Sequence, residues 1–411
     1  MKILVLGSGL MGPAAAYNAM ADPDVSQVTL CDASEQQLAA AQAKLTTMTG
    51  GHKLNTVPLD LNNQPATRRL MAGYDAVVAA LPKAAIPLGI QAAAAAKKPL
   101  VDLSWPPDPD LPELVRQVEA AGSLVILGCG VEPGLTEIMA RYLAERLDRV
   151  DELHIKCGGI PEVPAPPLGY KIVFGGRQLP LREYDARVVE NGQLTSVPRY
   201  SGVEQVFFPG VGECEAWHEG FMPWLLDLDA LKSLRAGTQK TVRWPGYAAK
   251  VTLLKELGLL SFEPVEVDGS RVVPKKLLDT LLYPRVRLDE GERDLTLFRV
   301  EVLGDKDGCL RRDMIEMVDR RDDVLGFTSM ARCTAFTGAI VARMIARGDL
   351  KAAGLLTPEK VITGPLFDCL VEELAAVNVC FALTTEQVQP LEERQGRIVP
   401  VGNGPKPTAY K

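Results

Sequence analysis

The first strand and turn of the chain decide its fold, because residues 2–12 read KILVLGSGLMG and an alanine-rich segment follows them. The stretch combines an apolar strand, a GxGxxG turn and the start of a helix. In such a turn Gly7 permits the sharp bend, Gly9 lets the backbone approach a pyrophosphate, and Gly12 lets the helix pack on the strand. The pattern predicts a Rossmann-type unit whose helix N-terminus binds a dinucleotide.

Apolar and helical segments keep alternating through residue 130. The candidate strands are residues 2–7, 27–32, 55–60, 75–80, 99–103 and 123–128. The candidate helices between them are residues 10–20, 35–45, 65–71, 84–96 and 111–121. Strands that alternate with helices form a parallel sheet covered on both faces. The sequence therefore predicts an α/β domain over residues 1–130, a doubly wound Rossmann sheet of six strands.

An acidic residue at the end of the second strand bears on the choice of dinucleotide. Asp32 stands twenty residues after Gly12. A carboxylate there accepts the hydroxyls of the adenosine ribose and repels a 2′-phosphate, which favours NAD over NADP. The alternative is a solvated carboxylate that caps the next helix. The predicted cofactor-binding residues are Gly7, Ser8, Gly9, Leu10, Met11, Gly12, Asp32, Ala33, Asp60, Leu61, Ala80, Leu81 and Pro82.

From residue 131 onward the alternation stops and hairpin signals take its place. The dipeptides that separate paired strand-like runs are Asn191-Gly192, Asp268-Gly269 and Asp307-Gly308. Such dipeptides favour tight hairpin turns, and hairpins make antiparallel pairs. We therefore predict a second, α+β domain with a mixed sheet over residues 131–328.

A late helix predicts that the chain returns to the first domain. Residues 330–346 carry small side chains on several faces, and small side chains allow a helix to pack closely on a neighbour. Residues 329–370 are therefore expected to pack on the Rossmann domain. Residues 371–411 are expected to form a C-terminal extension that is partly flexible.

Composition excludes several classes of protein. The chain has 411 residues and a formal net charge of -7, so nucleic acid is not an expected partner. Its most apolar stretch, residues 77–96, is broken by prolines and a lysine, so we do not expect a membrane span. The eight cysteines are scattered without a CxxC pair, and a strand follows Met1 directly, which together favour the cytoplasm. We find no metal-binding motif and no Walker A motif.

Several motifs, in a constant order, resemble one family. They are GCGVEPG (128–134), CGGIP (157–161) with PLGYK (167–171), TVRWPGY (241–247) and MARCTA (330–335). Together they resemble the saccharopine dehydrogenase and lysine 6-dehydrogenase family over about residues 1–370. The length of the chain and its segment 166–206 are most similar to the lysine 6-dehydrogenase branch.

The resemblance implies an oxidoreductase that acts on the C–N bond of an amino acid or amine. In the lysine 6-dehydrogenase branch, NAD oxidises the side-chain amine of lysine to an imine, which is hydrolysed to the semialdehyde. Saccharopine and carboxyspermidine-type reductases instead form a C–N bond with NADPH. Asp32 fits the first activity better. The resemblance also implies a homodimer formed through the sheet of the second domain.

Two segments depart from the family pattern. Residues 102–107 read DLSWPP where family members often have DLGG, and residues 217–224 read WHEGFMPW where lysine 6-dehydrogenases are rich in Gly, Ser and Thr. Both segments are expected to line the substrate cleft. The exact substrate therefore stays open, and a non-catalytic NAD-binding regulator is a third hypothesis.

Two residues are candidates for catalysis. Asp102 ends the fifth predicted strand, where ligands meet an open α/β sheet, so it either holds the reacting amine or a water, or caps a turn. His218 lies between Trp217 and Glu219, which could tune an imidazole near neutral pH. The alternative for His218 is a structural histidine.

Four further residues are candidates for binding the substrate. Lys171 and Arg243 are suited to bind a carboxylate, Arg243 through a bidentate fork, and the alternative for each is a surface salt bridge. Tyr170 belongs to the same motif as Lys171. Glu132 either contacts a substrate ammonium or lies at a helix N-terminus, which its charge favours.

Overall fold

The computed structural model describes residues 1–174, 176–289, 291–388, 391–394 and 397–400. Two large sheets and their helices share one apolar core, which extends from Ile3 and Val5 in the first sheet to Ile155 and Phe298 in the second. The predicted combination of an α/β sheet with an α+β domain is confirmed. No helix in these ranges is long and apolar enough to cross a membrane.

The elements follow in chain order. The strands are β1 (Lys2–Leu6), β2 (Gln27–Asp32), β3 (Leu54–Pro58), β4 (Ala76–Ala79), β5 (Leu100–Asp102), β6 (Leu124–Ile126), β7 (Arg149–Pro161), β8 (Ala186–Glu190), β9 (Gln193–Val197), β10 (Glu204–Phe208), β11 (Gly212–His218), β12 (Ala236–Arg243), β13 (Val265–Val267), β14 (Ser270–Val272), β15 (Asp294–Lys306), β16 (Cys309–Arg320), β17 (Gly354–Leu356), β18 (Ala382–Val388), β19 (Leu391–Arg394) and β20 (Arg397–Pro400). The helices are α1 (Gly12–Ala21), α2 (Glu35–Leu45), α3 (Gln64–Met71), α4 (Ile86–Ala96), α5 (Leu111–Ala121), α6 (Leu135–Ala144), α7 (Tyr247–Glu256), α8 (Pro274–Val286), α9 (Ser329–Ala331), α10 (Thr337–Arg347) and α11 (Pro365–Ala376).

The first sheet is parallel, with strand order β3-β2-β1-β4-β5-β6-β17. All six predicted strands and all five predicted helices of this domain are present. The prediction of six strands was nevertheless incomplete, because β17 comes from the returning segment and pairs with β6. The order reverses between β1 and β4, which is where an open α/β sheet forms its ligand crevice.

The second sheet is mixed, and its main path is β10-β11-β12-β7-β15-β16-β18, with the hairpin β8–β9 beside β12. The β7–β12 pair is parallel, and the pairs on either side are antiparallel. Because paired residues share a face, Trp217 and Thr241 lie on one face while His218 and Lys240 lie on the other. This alternation decides which predicted site residues can meet.

The three predicted hairpin turns are confirmed. In each of them both central residues have a positive φ: Asn191 and Gly192 (52° and 77°), Asp268 and Gly269 (49° and 77°), and Asp307 and Gly308 (55° and 76°). That backbone matches the right-handed twist of the flanking strands.

The predicted return of the chain is also confirmed. α10 packs against α1 and against β4 of the first sheet, and Ala335 and Ala339 are fully buried there. A side chain at Gly338 would overlap Leu103, so the close approach depends on a small residue. A π-helical turn at Arg332–Phe336 joins α9 to α10.

The predicted C-terminal extension needs correction in its first part. Residues 371–376 belong to α11, and β18 adds to the second sheet by pairing with β16. Pairing across the sheet edge, which local sequence does not show, places β18 in the folded body. Residues 389–390, 395–396 and 401–411, on which the rest of that prediction falls, lie outside the described residues.

Candidate active site

The glycine-rich turn has the shape that a dinucleotide needs. Gly7 has a φ of 93°, and a side chain there would overlap the Ala80 carbonyl oxygen. A side chain at Gly12 would overlap the Gly7 carbonyl oxygen, so this glycine lets α1 approach β1. Gly9 faces open space, with nothing within 4 Å of the position that a Cβ would take. The turn therefore leaves room for a pyrophosphate beside Gly9.

Polar groups around the turn also fit a dinucleotide. The Asp32 carboxylate accepts hydrogen bonds from the backbone N–H groups of Ser8 (2.7 Å) and Ser34 (2.8 Å). Each of its oxygens keeps a lone pair for a ribose hydroxyl. The buried Oγ of Ser8 has no partner among the described residues. A bound phosphate or ribose would satisfy that hydroxyl, so the residues present fit the cofactor.

The other residues predicted to bind the nucleotide surround this turn to different degrees. Leu81 lies 3.7 Å from the position of a Cβ on Gly7, which places the end of β4 beside the turn. Leu10 is exposed next to Gly9. Asp60 instead holds its own loop, since it accepts two hydrogen bonds from Asn62, each 2.9 Å long. Met11, Ala33, Leu61, Ala80 and Pro82 are partly or fully exposed near the carboxyl ends of β1 to β4.

Asp102 is fully buried at the end of β5, and no charged partner accompanies it among the described residues. Its Oδ1 accepts a hydrogen bond from the backbone N–H of Ser104 (2.8 Å), and its Oδ2 has no partner. Burial raises the pKa of Asp102 to about 8. These contacts favour the structural alternative, in which Asp102 caps the turn toward Trp105.

A buried cation forms the centre of the second domain's polar face. The Arg243 side chain is 4% exposed and lies against the rings of Tyr170 (4.8 Å) and Tyr247 (5.7 Å). Its NH1 group donates to the Val242 carbonyl oxygen (2.7 Å), while its Nε has no partner. The Tyr170 hydroxyl also lacks one. Within the described ranges no carboxylate lies within 4 Å of this guanidinium. The cluster of Arg243, Tyr170 and Tyr247, called the Arg243 pocket, therefore has a positive charge suited to a ligand's carboxylate.

Two carboxyl groups meet beside this pocket through one amide. The Gln239 Nε2 donates to Glu132 (2.8 Å) and to Glu137 (3.0 Å). Burial raises the pKa of both acids, that of Glu132 to about 8, and their mutual repulsion adds to the effect on Glu132. Glu132 keeps some exposed surface, whereas Glu137 is fully buried. Since Glu132 follows β6, Glu137 lies on α6 and Gln239 lies on β12, this group ties the start of the second domain to its sheet.

A further charged group, centred on Glu219, lies on the face of the second sheet that carries Gln239 and Arg243. Glu219 is ion-paired with Arg182 and Arg199, and the Thr241 hydroxyl lies 3.4 Å from its Oε2. Glu219 also raises the pKa of Glu132, although burial of Glu132 is the larger cause. This group adds one carboxylate and two guanidinium groups to that face.

Lys171 and His218 lie apart from Arg243. The Lys171 Nζ binds Glu292 (2.9 Å) and the Arg287 carbonyl oxygen (3.2 Å), which matches the salt-bridge alternative. His218 lies on the opposite sheet face to Trp217, packs on Gly202, and has an Nδ1 without a partner in the described part of the chain. Burial, followed by nearby Lys240, lowers its pKa. Neither residue's contacts support the predicted role.

The two segments that depart from the family pattern meet at the domain boundary. Trp105 stacks on Trp224 with ring centres 4.3 Å apart and planes 8° apart. The Trp105 ring also lies 3.7 Å from the position that a Cβ would take on Gly128, just before the turn that holds Glu132. The two tryptophans thus line a cleft together with Leu111, Pro223 and Leu355.

Sequence reasoning missed Gln239, Glu137 and Glu219. A signal existed for the first, because Gln239 and Arg243 are four residues apart on one strand and so share a face. Glu137 occupies the third position of α6, where an acid ordinarily caps the helix, and it does accept the Gly134 N–H (2.6 Å). Nothing local shows that Gln239 also reaches it.

A doubly wound sheet with a fitted dinucleotide turn, joined to a mixed-sheet domain that carries a buried cationic pocket, is the architecture of a two-domain dehydrogenase. Residues 3–126 match the saccharopine dehydrogenase NADP binding domain, and residues 130–379 match the saccharopine dehydrogenase C-terminal domain. The chain belongs to the saccharopine dehydrogenase family.

Individual relatives agree with this assignment. The saccharopine dehydrogenase (NADP(+), L-glutamate-forming) of Schizosaccharomyces pombe is 23% identical over 453 residues, which cover 90% of this chain and 97% of the relative. The mitochondrial alpha-aminoadipic semialdehyde synthase of Bos taurus is 23% identical over 444 residues, which cover 90% of this chain and 47% of the relative. This chain therefore spans about half the length of the bovine protein.

A solved structure confirms the fold. Apo saccharopine dehydrogenase (L-Glu forming) from Saccharomyces cerevisiae has a TM-score of 0.77 and 20% sequence identity, and the match covers 94% of this chain and 99% of that one. The family match of residues 3–126 identifies the first domain as a pyridine-nucleotide-binding domain. The matching family domain and the Schizosaccharomyces pombe relative carry NADP in their names, whereas an acid at the position of Asp32 is typical of NAD sites.

Proposed function

We propose that the chain is an oxidoreductase that acts on the C–N bond of an amino acid, and that it oxidises a lysine-like side-chain amine to the semialdehyde. The observation that carries the proposal is the buried Arg243 guanidinium, which has no carboxylate within 4 Å among the described residues. A substrate with one free carboxylate would supply the missing anion. Arg182 and Arg199 both bind Glu219. Of these three arginines, Arg243 is therefore the one without a carboxylate partner among the described residues.

The site residues divide the work of binding. Arg243 binds the substrate carboxylate, and the Tyr170 hydroxyl donates a further hydrogen bond to it. Glu132 faces the reacting nitrogen, with which its carboxyl exchanges a proton. The bound pyridine nucleotide supplies or accepts the hydride. In oxidation the carbon loses a hydride and the nitrogen loses a proton. Water then adds to the C=N carbon and the nitrogen leaves as ammonia.

We propose NAD as the cofactor. Asp32 is held in place by the backbone of Ser8 and Ser34, so its negative charge lies where the 2′-phosphate of NADP would have to fit. Because the name of the Schizosaccharomyces pombe relative carries NADP(+), NAD and NADP are tested in separate assays.

The second candidate function is a saccharopine or carboxyspermidine-type reductase, which joins an aldehyde and an amine through an imine. The Arg182–Glu219–Arg199 group favours it, because two guanidinium groups share one carboxylate and so keep a net positive charge that could attract the other end of a conjugate. Both functions use the same pocket, and they differ in the size and charge of the substrate.

We also propose a cytoplasmic homodimer. All eight cysteines are unpaired, which supports a reducing compartment. Exposed apolar residues at α7 and α8 and just after α7, namely Leu253, Leu257, Leu277 and Leu281, support a second copy that covers them. Light scattering of the purified protein tests this: a dimer that L277E/L281E makes monomeric supports it, and a monomeric parent chain refutes it.

The test of function is a turnover assay that follows reduced nicotinamide. NAD and NADP are supplied separately with lysine, ornithine, saccharopine and polyamines. Turnover of lysine with NAD supports the first candidate, and turnover of saccharopine or a carboxylated polyamine alone supports the second. Binding of the nucleotide with no turnover of any amine would remove both.

A further inference from the structure

Three hydrogen bonds hold the Gln239 side chain in one orientation. Its amide nitrogen has two hydrogens, and one is donated to Glu132 (2.8 Å) and the other to Glu137 (3.0 Å). Its carbonyl oxygen accepts the backbone N–H of Met222 (3.2 Å). The side chain is 1% exposed, so water does not compete for these contacts. The orientation of the amide is therefore set by the protein.

The two acids that share this amide differ in their other partners. Glu137 also accepts hydrogen bonds from the Gly134 N–H (2.6 Å) and the Thr136 hydroxyl (2.7 Å). Glu132 has Gln239 as its one hydrogen-bond donor among the described residues. Donated hydrogen bonds favour the ionised form of a carboxyl, and two buried carboxyls that lie close together do not both ionise readily. The negative charge therefore resides on Glu137 and the proton on Glu132.

We propose that Gln239 is a positioning residue that holds the Glu132 carboxyl toward the Arg243 pocket, and that the ionised Glu137 keeps the exchangeable proton on Glu132. This inference rests on the proposed function, in which Glu132 exchanges a proton with the substrate nitrogen. Among the described residues, four charged or titratable groups interact with Glu132. They are Glu137 on α6, Glu219 after β11, Arg243 on β12 and Cys157 on β7.

The arrangement has a direct chemical consequence. When an imine is reduced, the carbon gains a hydride and the nitrogen gains a proton, which leaves the Glu132 carboxyl. The Glu132 carboxylate that remains is stabilised by the Gln239 amide and by the charge of Arg243. In the oxidative direction Glu132 first releases its proton to solvent, and the resulting carboxylate then accepts the proton from the nitrogen. Neither Gln239 nor Glu137 touches the reacting atoms.

The pKa values are consistent with this assignment. The pKa of Glu132 is raised to about 8, mainly by burial and in addition by the charges of Glu137 and Glu219, while the Gln239 hydrogen bond and Arg243 oppose the increase. A carboxyl with that pKa carries its proton at neutral pH. An ordinary glutamic acid, with a pKa of about 4.3, would not.

The test follows the Glu132 carboxyl directly, by ¹³C NMR of the full-length protein with labelled glutamate and with the nucleotide bound. The E132Q spectrum identifies the signal. We expect E137Q to lower the midpoint of the Glu132 titration by about one pH unit or more, because a neighbouring negative charge is lost. We expect Q239M to raise it, because the ionised form loses its hydrogen bond. E145Q, at the residue that follows the same helix, is the matched control, and it should leave the midpoint unchanged.

Two variants with opposite expected shifts keep the test decisive if one of them fails to fold. Midpoints that move as expected support the inference even if no amine is turned over, in which case the proposed function fails by itself. A Glu132 that titrates near 4.3 in the parent chain would overturn the inference. A midpoint that neither variant moves would do the same, whatever the activity.

Discussion

The guanidinium of Arg243 lies 4.8 Å from the centre of the Tyr170 ring, and its Nε has no hydrogen-bond partner within the described residues. Contact with an aromatic face partly compensates a buried cation, but it does not satisfy an N–H group. A carboxylate that docks against Arg243 would satisfy both residues, since the Tyr170 hydroxyl is also without a partner. This pair is the part of the site that is specific for an anionic substrate.

Replacing Arg243 should weaken substrate binding selectively. A lysine keeps the positive charge but loses the planar fork, so R243K should raise the KM of the substrate about 10- to 100-fold. The dissociation constant of the nucleotide should stay unchanged, because Arg243 lies in the other domain. The matched control is K171M, whose ammonium binds Glu292 and the Arg287 carbonyl oxygen. Equal effects of the two variants on KM would contradict the assignment of Arg243.

Two glycines of the turn should respond differently to a methyl group. Gly9 faces open space, so G9A should fold normally and weaken nucleotide binding about tenfold or more by occupying the path of the pyrophosphate. At Gly12 the methyl group would overlap the Gly7 carbonyl oxygen, and G12A should lower the free energy of unfolding by about 2 kcal/mol.

Titration calorimetry and denaturant unfolding separate these two effects. A folded G9A that binds the nucleotide as tightly as the parent chain would show that the pyrophosphate lies elsewhere.

Asp32 should control cofactor preference. D32A removes the charge that repels a 2′-phosphate, so the ratio of kcat/KM for NAD to that for NADP should fall about tenfold or more. Initial rates with each nucleotide at a fixed substrate concentration give this ratio. A parent chain that already prefers NADP would refute the proposed role of Asp32, and so would a D32A ratio equal to that of the parent chain.

Asp102 should affect stability rather than turnover. Burial raises its pKa to about 8, so the native state holds a proton that the unfolded chain loses near its ordinary pKa of about 3.9. The stability that comes from this proton is fully present below about pH 4 and is lost as the pH rises through about 8.

The D102N variant has no such group, so its free energy of unfolding should rise relative to the parent chain by roughly 1–3 kcal/mol between pH 5 and pH 9. Denaturant unfolding at several pH values measures the difference. Its kcat should stay within about twofold of the parent value; a hundredfold loss with an intact fold would restore Asp102 as a catalytic residue.

Local sequence predicted most of the first domain because its turn and its strands are specified by nearby residues. The run from Lys2 to Gly12 and the alternation up to residue 130 needed no knowledge of distant contacts. β17 and β18 were missed because each is defined by the strand beside it. β17 has three residues and β18 has seven, and neither run carries a local signal that it will extend a sheet.

The site was predictable in part. Arg243, Tyr170 and Glu132 were all singled out, and the structure brings Tyr170 against Arg243 and places Glu132 beside them. His218 and Trp217 are adjacent on a strand and must point to opposite faces of the sheet. The alternation of side chains alone could therefore have shown that His218 does not share a face with Trp217. The depth of burial of Asp102 depends on how the two domains close, which no local pattern shows.

The most direct test of the account is the rate of nicotinamide reduction by the full-length protein with NAD and lysine, compared between the parent chain and R243K. We predict turnover by the parent chain and a raised KM with little change in nucleotide affinity for R243K. A protein that binds NAD but turns over neither lysine nor any related amine would contradict the account.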